Sequence, residues 1–229
     1  MRRLYALDQK YYGFPDPNQA ERDGLIAFGG DLCPERILSA YSQGIFPWYS
    51  PGDPILWWSP DPRFILFPQK FHISKSLSKI IRKSNYTITM DQAFKSVLQE
   101  CAVIREESGC GTWITSNMIR AYSKLYEMGF AHSVETWMDG QLAGGLYGIS
   151  LGRMFAGESM FFRKSNASKL ALVALVSFAR SYKFDFIDCQ VDTSHLKTFG
   201  AENIPRNKFL QLLNKTLRHK HLQGRWTYD

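Results

Sequence analysis

AHSVETWMDGQLAGGLYGISLGRMFAGESMFF, residues 131–162, is the stretch that decides the fold. Its apolar residues largely alternate with polar or small ones, the period of a strand with two different faces. Asp139-Gly140 interrupts the alternation with a two-residue hairpin signal, and Gly152 marks a second turn. Three antiparallel strands joined as a meander are therefore expected. Downstream, NASKLALVALVSFARSYK (166–183) has helical spacing and FDFIDCQV (184–191) reads as an apolar strand. Residues 205–217 close with a helix that carries Pro205 in its first turn.

Upstream of the meander, TSNMIRAYSKLYEMG (115–129) predicts a helix opened by Thr115 and closed by Gly129. SGCGTW (108–113) breaks the chain before it, and DQAFKSVLQECAVIREE (91–107) has helical spacing. RFILFP (63–68) and YTITM (86–90) read as strands, with a helix over 74–83 between them. From Arg63 onward the order is strand, helices, meander, helix, strand, helix. That order predicts an α/β (α+β) domain built on a mixed sheet.

Ahead of Arg63 lies FPWYSPGDPILWWSPDPR (46–63), which holds five of the ten prolines and three of the six tryptophans. Proline fixes φ and lacks an amide donor, so the stretch reads as a loop rather than a helix or a central strand. It is the natural boundary between a small N-terminal domain, residues 1–62, and a larger domain, residues 63–229. Within the former, DLCPERILSAYSQG (31–44) predicts a short helix with Pro34 in its first turn and Gly44 at its stop.

With 45% hydrophobic and 21% charged residues, the chain has the composition of a soluble globular protein, and its 229 residues can bury a large core. No apolar run approaches the roughly 20 residues of a membrane span. The start, MRRLYALDQKYYGFP, has no apolar core of a secretory signal. Cysteines 33, 101, 110 and 189 show no C-x-x-C spacing, which fits reduced thiols in a cytoplasm and argues against zinc. Lys and Arg outnumber Asp and Glu by 28 to 21. The surplus suits a polyanionic partner such as RNA, and equally an ordinary basic surface.

Three clusters carry polar chemistry. GESMFF (157–162) sets Glu158 near the end of an apolar strand, and DCQ (188–190) sets Asp188 and Gln190 at the end of a buried one. Residues at i and i+2 of a strand share a face, so Asp188 and Gln190 are expected to point the same way. A carboxylate paired with an amide at a sheet mouth can orient an amine and accept its proton. The plainer alternative is that Asp188 caps the next helix and Gln190 satisfies backbone groups. CGTWIT (110–115) places Trp113 just before a helix, where it either binds a ligand or covers the core edge. GGLYG (144–148) lacks dinucleotide-loop spacing. His132, entering a strand after Gly129, is a candidate catalytic residue, although such a histidine is more often structural, and HKHLQGRW (219–226) holds a metal only with ligands from elsewhere.

Taken together, these segments resemble the leucyl/phenylalanyl-tRNA–protein transferase family. The resemblance rests on GLIAFGGDL (24–32), YSQGIFPWYSPGDPILWWSPDPR (41–63), GTWIT (111–115), HSVE (132–135), GGLYG (144–148), GESMF (157–161), NASK (166–169) and IDCQ (187–190). The motifs run in order from residue 24 to residue 190, and the tail after about residue 217 carries none. The resemblance implies a small N-terminal domain followed by an acetyltransferase-like (GNAT) domain. The implied activity moves leucine or phenylalanine, less well methionine, from aminoacyl-tRNA to proteins that begin with arginine or lysine. The product is an N-end-rule degradation signal. No cofactor is expected, because MFFRKSNASK (160–169) stands, without glycine, where that superfamily keeps its coenzyme loop.

By the same resemblance, Asp188 and Gln190 orient and deprotonate the acceptor amine while Glu158 holds the donor's aminoacyl end. Trp48 and Trp113 flank the donor's terminal adenosine, with Tyr122 nearby. Leu146, Phe155, Leu172, Leu175 and Ile187 line the side-chain pocket. Lys75, Lys79, Arg82 and Lys83, on the helix over 74–83, are expected to meet tRNA phosphates, or else form a solvated helix face. A cytoplasmic monomer is expected. Two other readings stay open: an acyl-CoA-dependent GNAT N-acetyltransferase and a non-enzymatic RNA-binding module.

Overall fold

The computed structural model describes residues 4–107, 109 and 111–228, so Cys110 of the 110–115 loop and Ser108 of the predicted break lie outside the described residues. The N-terminal part holds β1 (Tyr5–Leu7), β2 (Leu25–Gly29), α1 (Pro34–Ser42), β3 (Phe46–Pro47) and β4 (Leu56–Trp58). There follow β5 (Arg63–Leu66), α2 (Lys75–Lys83), β6 (Thr87–Met90), α3 (Phe94–Glu107) and α4 (Ser116–Glu127). The meander is β7 (Ala131–Met138), β8 (Gln141–Leu151) and β9 (Met154–Phe162). The chain closes with α5 (Ala167–Ser181), β10 (Phe186–Gln190), α6 (Ser194–Lys197), β11 (Glu202–Ile204) and α7 (Arg206–Thr216).

Local chemistry explains most boundaries. Ser74 caps α2 by accepting from the Leu77 amide, and Thr115 caps α4 by accepting from Met118. Pro34 sits in the first turn of α1, where no amide donor is needed. Pro205 stands one position earlier than expected, as the N-cap of α7. Asp139 and Gly140 have φ of 53° and 72°, the left-handed pair that a tight hairpin between β7 and β8 requires.

One expectation for residues 46–63 is corrected. The described strands of the first sheet pair in the order β1-β2-β4-β3, which puts Leu56–Trp58 in an interior position. The prolines flank that strand rather than interrupt it, so its amides remain available to the ladder. Trp57 is fully buried and donates its indole N–H to the Gly29 carbonyl at 3.0 Å. One apolar cluster runs from Ile26 and Trp57 through Phe94 to Phe186, so packing is continuous across the junction at residues 62–63.

The second sheet has the order β11-β5-β10-β9-β8-β7-β6 and is mixed, as expected: β9 and β10 run parallel, and the other described pairs are antiparallel. α3 and α4 cover one face, together with Phe209 and Leu213 of α7, while α5 and Leu77 of α2 cover the other. The parallel pairing ends at Asp188 opposite Ala156. Beyond that point β9 continues along β8, and β10 leaves it. A cleft therefore opens through the sheet between the two strand ends, and both GES and DCQ stand at its edge.

Candidate active site

A cavity of about 370 Å³ occupies this cleft and reaches both sheet faces. Phe46, Pro47, Trp48, Arg105, Trp113 and Tyr147 line it on the α3 side. Leu146, Phe155, Leu172, Ile187, His195 and Leu196 line it on the α5 side, and Glu158, Cys189 and Gln190 lie where the two halves meet. The wall is mostly apolar with a few convergent polar groups, the usual character of a small-ligand site.

Glu158 owes its position to a β-bulge. Gly148 pairs with Gly157 and Tyr147 with Ser159, so Glu158 is the extra residue on β9. Its carboxylate accepts from the Tyr41 hydroxyl at 2.6 Å, the Tyr122 hydroxyl at 3.0 Å and the Gln190 side-chain amide at 2.7 Å. Burial raises its pKa to about 7 against the pull of those three donors. Burial, and then the Glu158 charge, push the Tyr41 and Tyr122 phenols well above their ordinary range, so both stay protonated and donate.

The shared face expected for Asp188 and Gln190 is not kept: β10 shifts register against β5 between them, so Asp188 stands opposite Ile65 and Gln190 opposite the adjacent Phe64, and their side chains meet different partners. Asp188 is 1% exposed, does not line the cavity, and accepts two hydrogen bonds from Arg63 at 2.8 and 2.7 Å. Its Oδ1 also accepts the Gln190 amide at 3.0 Å. That bond holds Gln190 at φ 64°, a left-handed conformation that a non-glycine residue rarely adopts, next to a register shift in the β5–β10 ladder. Gln190 is thereby aimed at Glu158, while Asp188 faces β5. Arg63 is itself buried, donates to the Gly44 carbonyl, and lies over the rings of Phe46 and Phe209. Sequence reasoning passed over it as one residue of a strand.

The remaining site expectations divide. Trp48, 44% exposed, and Trp113 both line the cavity. Trp48 is steadied by Trp58, whose indole N–H donates to the Trp48 carbonyl at 2.6 Å. Tyr122 is fully buried behind Glu158 and presents no face to a ligand, because its hydroxyl end is committed to Glu158 and Tyr41. Leu146, Phe155, Leu172 and Ile187 line the pocket, whereas Leu175 lies in the core behind it. Lys75, Lys79, Arg82 and Lys83 are exposed on α2, whose other side packs Leu77, Ile80 and Ile81 inward, and none of the four lines the cavity.

Tyr41, Arg105, Cys189 and His195 are site residues that the sequence reading did not single out. For Tyr41 a signal existed: it falls on the apolar face of α1 with Ile37, and a buried phenol needs a partner for its hydroxyl. Burial and the nearby Asp188 push the Cys189 thiol up, so it stays protonated. His132 lies outside the cavity, with Nδ1 2.8 Å from the Asp91 carboxylate. Among the described residues no group of three or more His, Cys, Asp or Glu side chains could hold a metal ion. No described helix is long and apolar enough to cross a membrane.

A mixed sheet split over an apolar pocket, with one poised carboxyl where the halves meet, has the character of an enzyme's active site rather than of a structural core. The sequence profile described as leucyl/phenylalanyl-tRNA protein transferase matches residues 65–214, and the profile of that family's N-terminal domain matches residues 30–61. A leucyl/phenylalanyl-tRNA–protein transferase of Desulfatibacillum aliphaticivorans is 56% identical over 99% of this chain and 97% of its own. A protein of the same name from Nitrosospira multiformis is 56% identical over 90% of this chain and 89% of its own. The chain belongs to the leucyl/phenylalanyl-tRNA–protein transferase family. Among solved structures, an aminoglycoside acetyltransferase from a soil metagenome aligns with 64% of this chain and 99% of its own at TM-score 0.39 and 12% identity, too loose a likeness to argue from.

Proposed function

We propose that this chain moves a leucyl or phenylalanyl group, and less readily a methionyl group, from aminoacyl-tRNA to the α-amino group of a protein beginning with arginine or lysine. The product carries an N-terminal degradation signal. The observation that carries this reading is the meeting, in one cavity, of an apolar pocket (Leu146, Phe155, Leu172, Ile187) with the Glu158 carboxyl, whose pKa is about 7.

The donor ester is already activated, so positioning is most of the task and no coenzyme is needed. An α-amino group with a pKa of about 7.7–8.0 has a usable neutral fraction near neutrality. Its nitrogen attacks the ester carbonyl carbon, a C–N bond forms and the C–O bond to the terminal ribose breaks. The proton lost by the amine passes to Glu158 and then to the departing ribose oxygen. A carboxylate offers about four acceptor positions, and Tyr41, Tyr122 and Gln190 take three, which leaves one for the amine. Asp188 acts one step removed, by holding Gln190 in place.

Trp48 and Trp113 take the terminal adenine by stacking, and Lys75, Lys79, Arg82 and Lys83 take backbone phosphates of the tRNA. Residues 1–62 act as a small domain that brings Trp48 and Tyr41 to the catalytic domain. The chain works as a monomer in the cytoplasm. The test is transfer of label from charged leucyl-tRNA to a peptide that begins with arginine. Absence of label in the peptide refutes the proposal. Tight acetyl-CoA binding in calorimetry would point instead to coenzyme-dependent acetylation, and tRNA binding without turnover to an RNA-binding module.

A further inference from the structure

The C-terminal tail matched no motif, yet it is tied to the molecule at successive points. The His221 imidazole accepts from the Gly152 amide at 2.7 Å, Gln223 donates to the Met128 carbonyl at 2.8 Å, and the Gly224 amide donates to Gly129 at 3.2 Å. Trp226 ends the run: its amide donates to the Asp91 carboxylate at 2.7 Å and its indole N–H to the Leu222 carbonyl at 3.1 Å. The indole is 4% exposed and is stacked on His132 at 3.8 Å and on Phe178 at 4.5 Å. A tail that only needed anchoring would be served by the backbone bonds. The buried indole requires another explanation.

Besides Phe184, whose ring meets the indole edge-on at 5.9 Å, one further neighbour supplies it. The Phe155 ring, which forms a wall of the apolar pocket, has its centroid 5.8 Å from that of Trp226. Gly148 also approaches this ring, close enough that a Cβ there would fall 2.6 Å from two ring atoms. Phe155 is fully buried, with Trp226 and Gly148 both against its ring. We infer that Trp226 is a specificity-determining positioning residue: by backing Phe155 it sets the depth of the side-chain pocket and hence the balance between phenylalanyl and leucyl donors. The inference rests on the proposed aminoacyl transfer and adds to it an element, the tail, in which no donor-binding group lies.

The experiment compares kcat/KM for phenylalanyl-tRNA and leucyl-tRNA, with one arginine-initiated peptide, in the wild type, Trp226→Ala and Trp226→Phe. Removing the indole leaves space into which Phe155 can relax, which deepens the pocket. A difference of about one methylene in an apolar pocket is worth about 10-fold or more, so the phenylalanyl-to-leucyl ratio is expected to rise about 10-fold in Trp226→Ala. Trp226→Phe should move it less and in the same direction. The ratio is independent of the folded fraction, so simple destabilisation cannot produce the shift. Trp226→Phe carries the test if the alanine variant does not fold. An unchanged ratio, or one that moves toward leucyl, overturns the inference while wild-type transfer leaves the proposed function standing. A wild type that transfers neither group overturns both.

Discussion

Replacing Glu158 with glutamine should abolish most turnover and make the protein more stable above neutral pH. The side chain is 8% exposed, and burial raises its pKa from the ordinary 4.5 to about 7. At about 1.4 kcal/mol per pH unit, that displacement corresponds to about 3 kcal/mol. The sign follows from proton binding: between about pH 4.5 and pH 7 the folded chain keeps a proton on Glu158 that the unfolded chain has released. This group's contribution to stability is therefore complete below about pH 4.5 and is lost as pH rises through about 7. Glutamine has the same shape and stays neutral. Its oxygen can accept from Tyr41 and Gln190, and its amide can donate to Tyr122, whose hydroxyl then turns to Tyr41 2.8 Å away. The variant should match the wild type near pH 4.5 and exceed it by about 3 kcal/mol near pH 8, or about 6–12 °C in Tm for a chain of this size. Denaturation curves from about pH 5 to pH 8 measure the difference. A gap between the two proteins that stays flat across that range refutes the assignment of a raised carboxyl to Glu158. Turnover should fall by about 10²-fold or more through loss of the base.

Asp188→Asn should destabilise the protein by about 3–5 kcal/mol in urea denaturation, because Arg63 is left buried beside a neutral partner. Its residual turnover should still rise through about pH 7, as the Glu158 pKa dictates; loss of that limb would make Asp188 the base. Trp48→Ala should raise the donor KM by about 5- to 150-fold through lost stacking and leave the acceptor-peptide KM unchanged. An unchanged donor KM would remove Trp48 from the adenosine site. Reversing the charges of Lys75, Lys79, Arg82 and Lys83 to glutamate should weaken tRNA binding and flatten its salt dependence, measured as the slope of log K against log salt. A slope equal to the wild type would return these residues to a solvated helix face.

Much of the architecture was written in local chemistry. Asp139-Gly140, Ser74, Pro34 and Thr115 each act within a few residues of themselves, and the elements they delimit formed where the spacing placed them. Alternation assigned Asp188 and Gln190 to one face of β10, but a register shift between them breaks that alternation. Periodicity could not tell which neighbour each would meet, because that depends on β5 and β9, which flank β10 in the sheet but both lie far earlier in the chain. The loop reading of 46–63 failed for a related reason: proline content averages over a window, whereas a ladder needs only the amides of Leu56–Trp58.

By itself, then, the sequence determined the main elements from Arg63 onward, the mixed sheet, the family, and the short list of polar residues at two strand ends, while the strands of the first sheet, α6 and β11 emerged only in the fold. Tertiary structure decided which of those residues is chemically available. A bulge in β9 turns Glu158 into the cavity, and the Asp188–Gln190 bond holds Gln190 in a left-handed conformation. Burial against Arg63 withdraws Asp188 from solvent, while burial among tyrosines leaves Glu158 poised near pH 7. A pKa and a direction of approach are properties of surroundings, and these surroundings are assembled from α1, α4, β5, β9 and β10 only when the chain has folded.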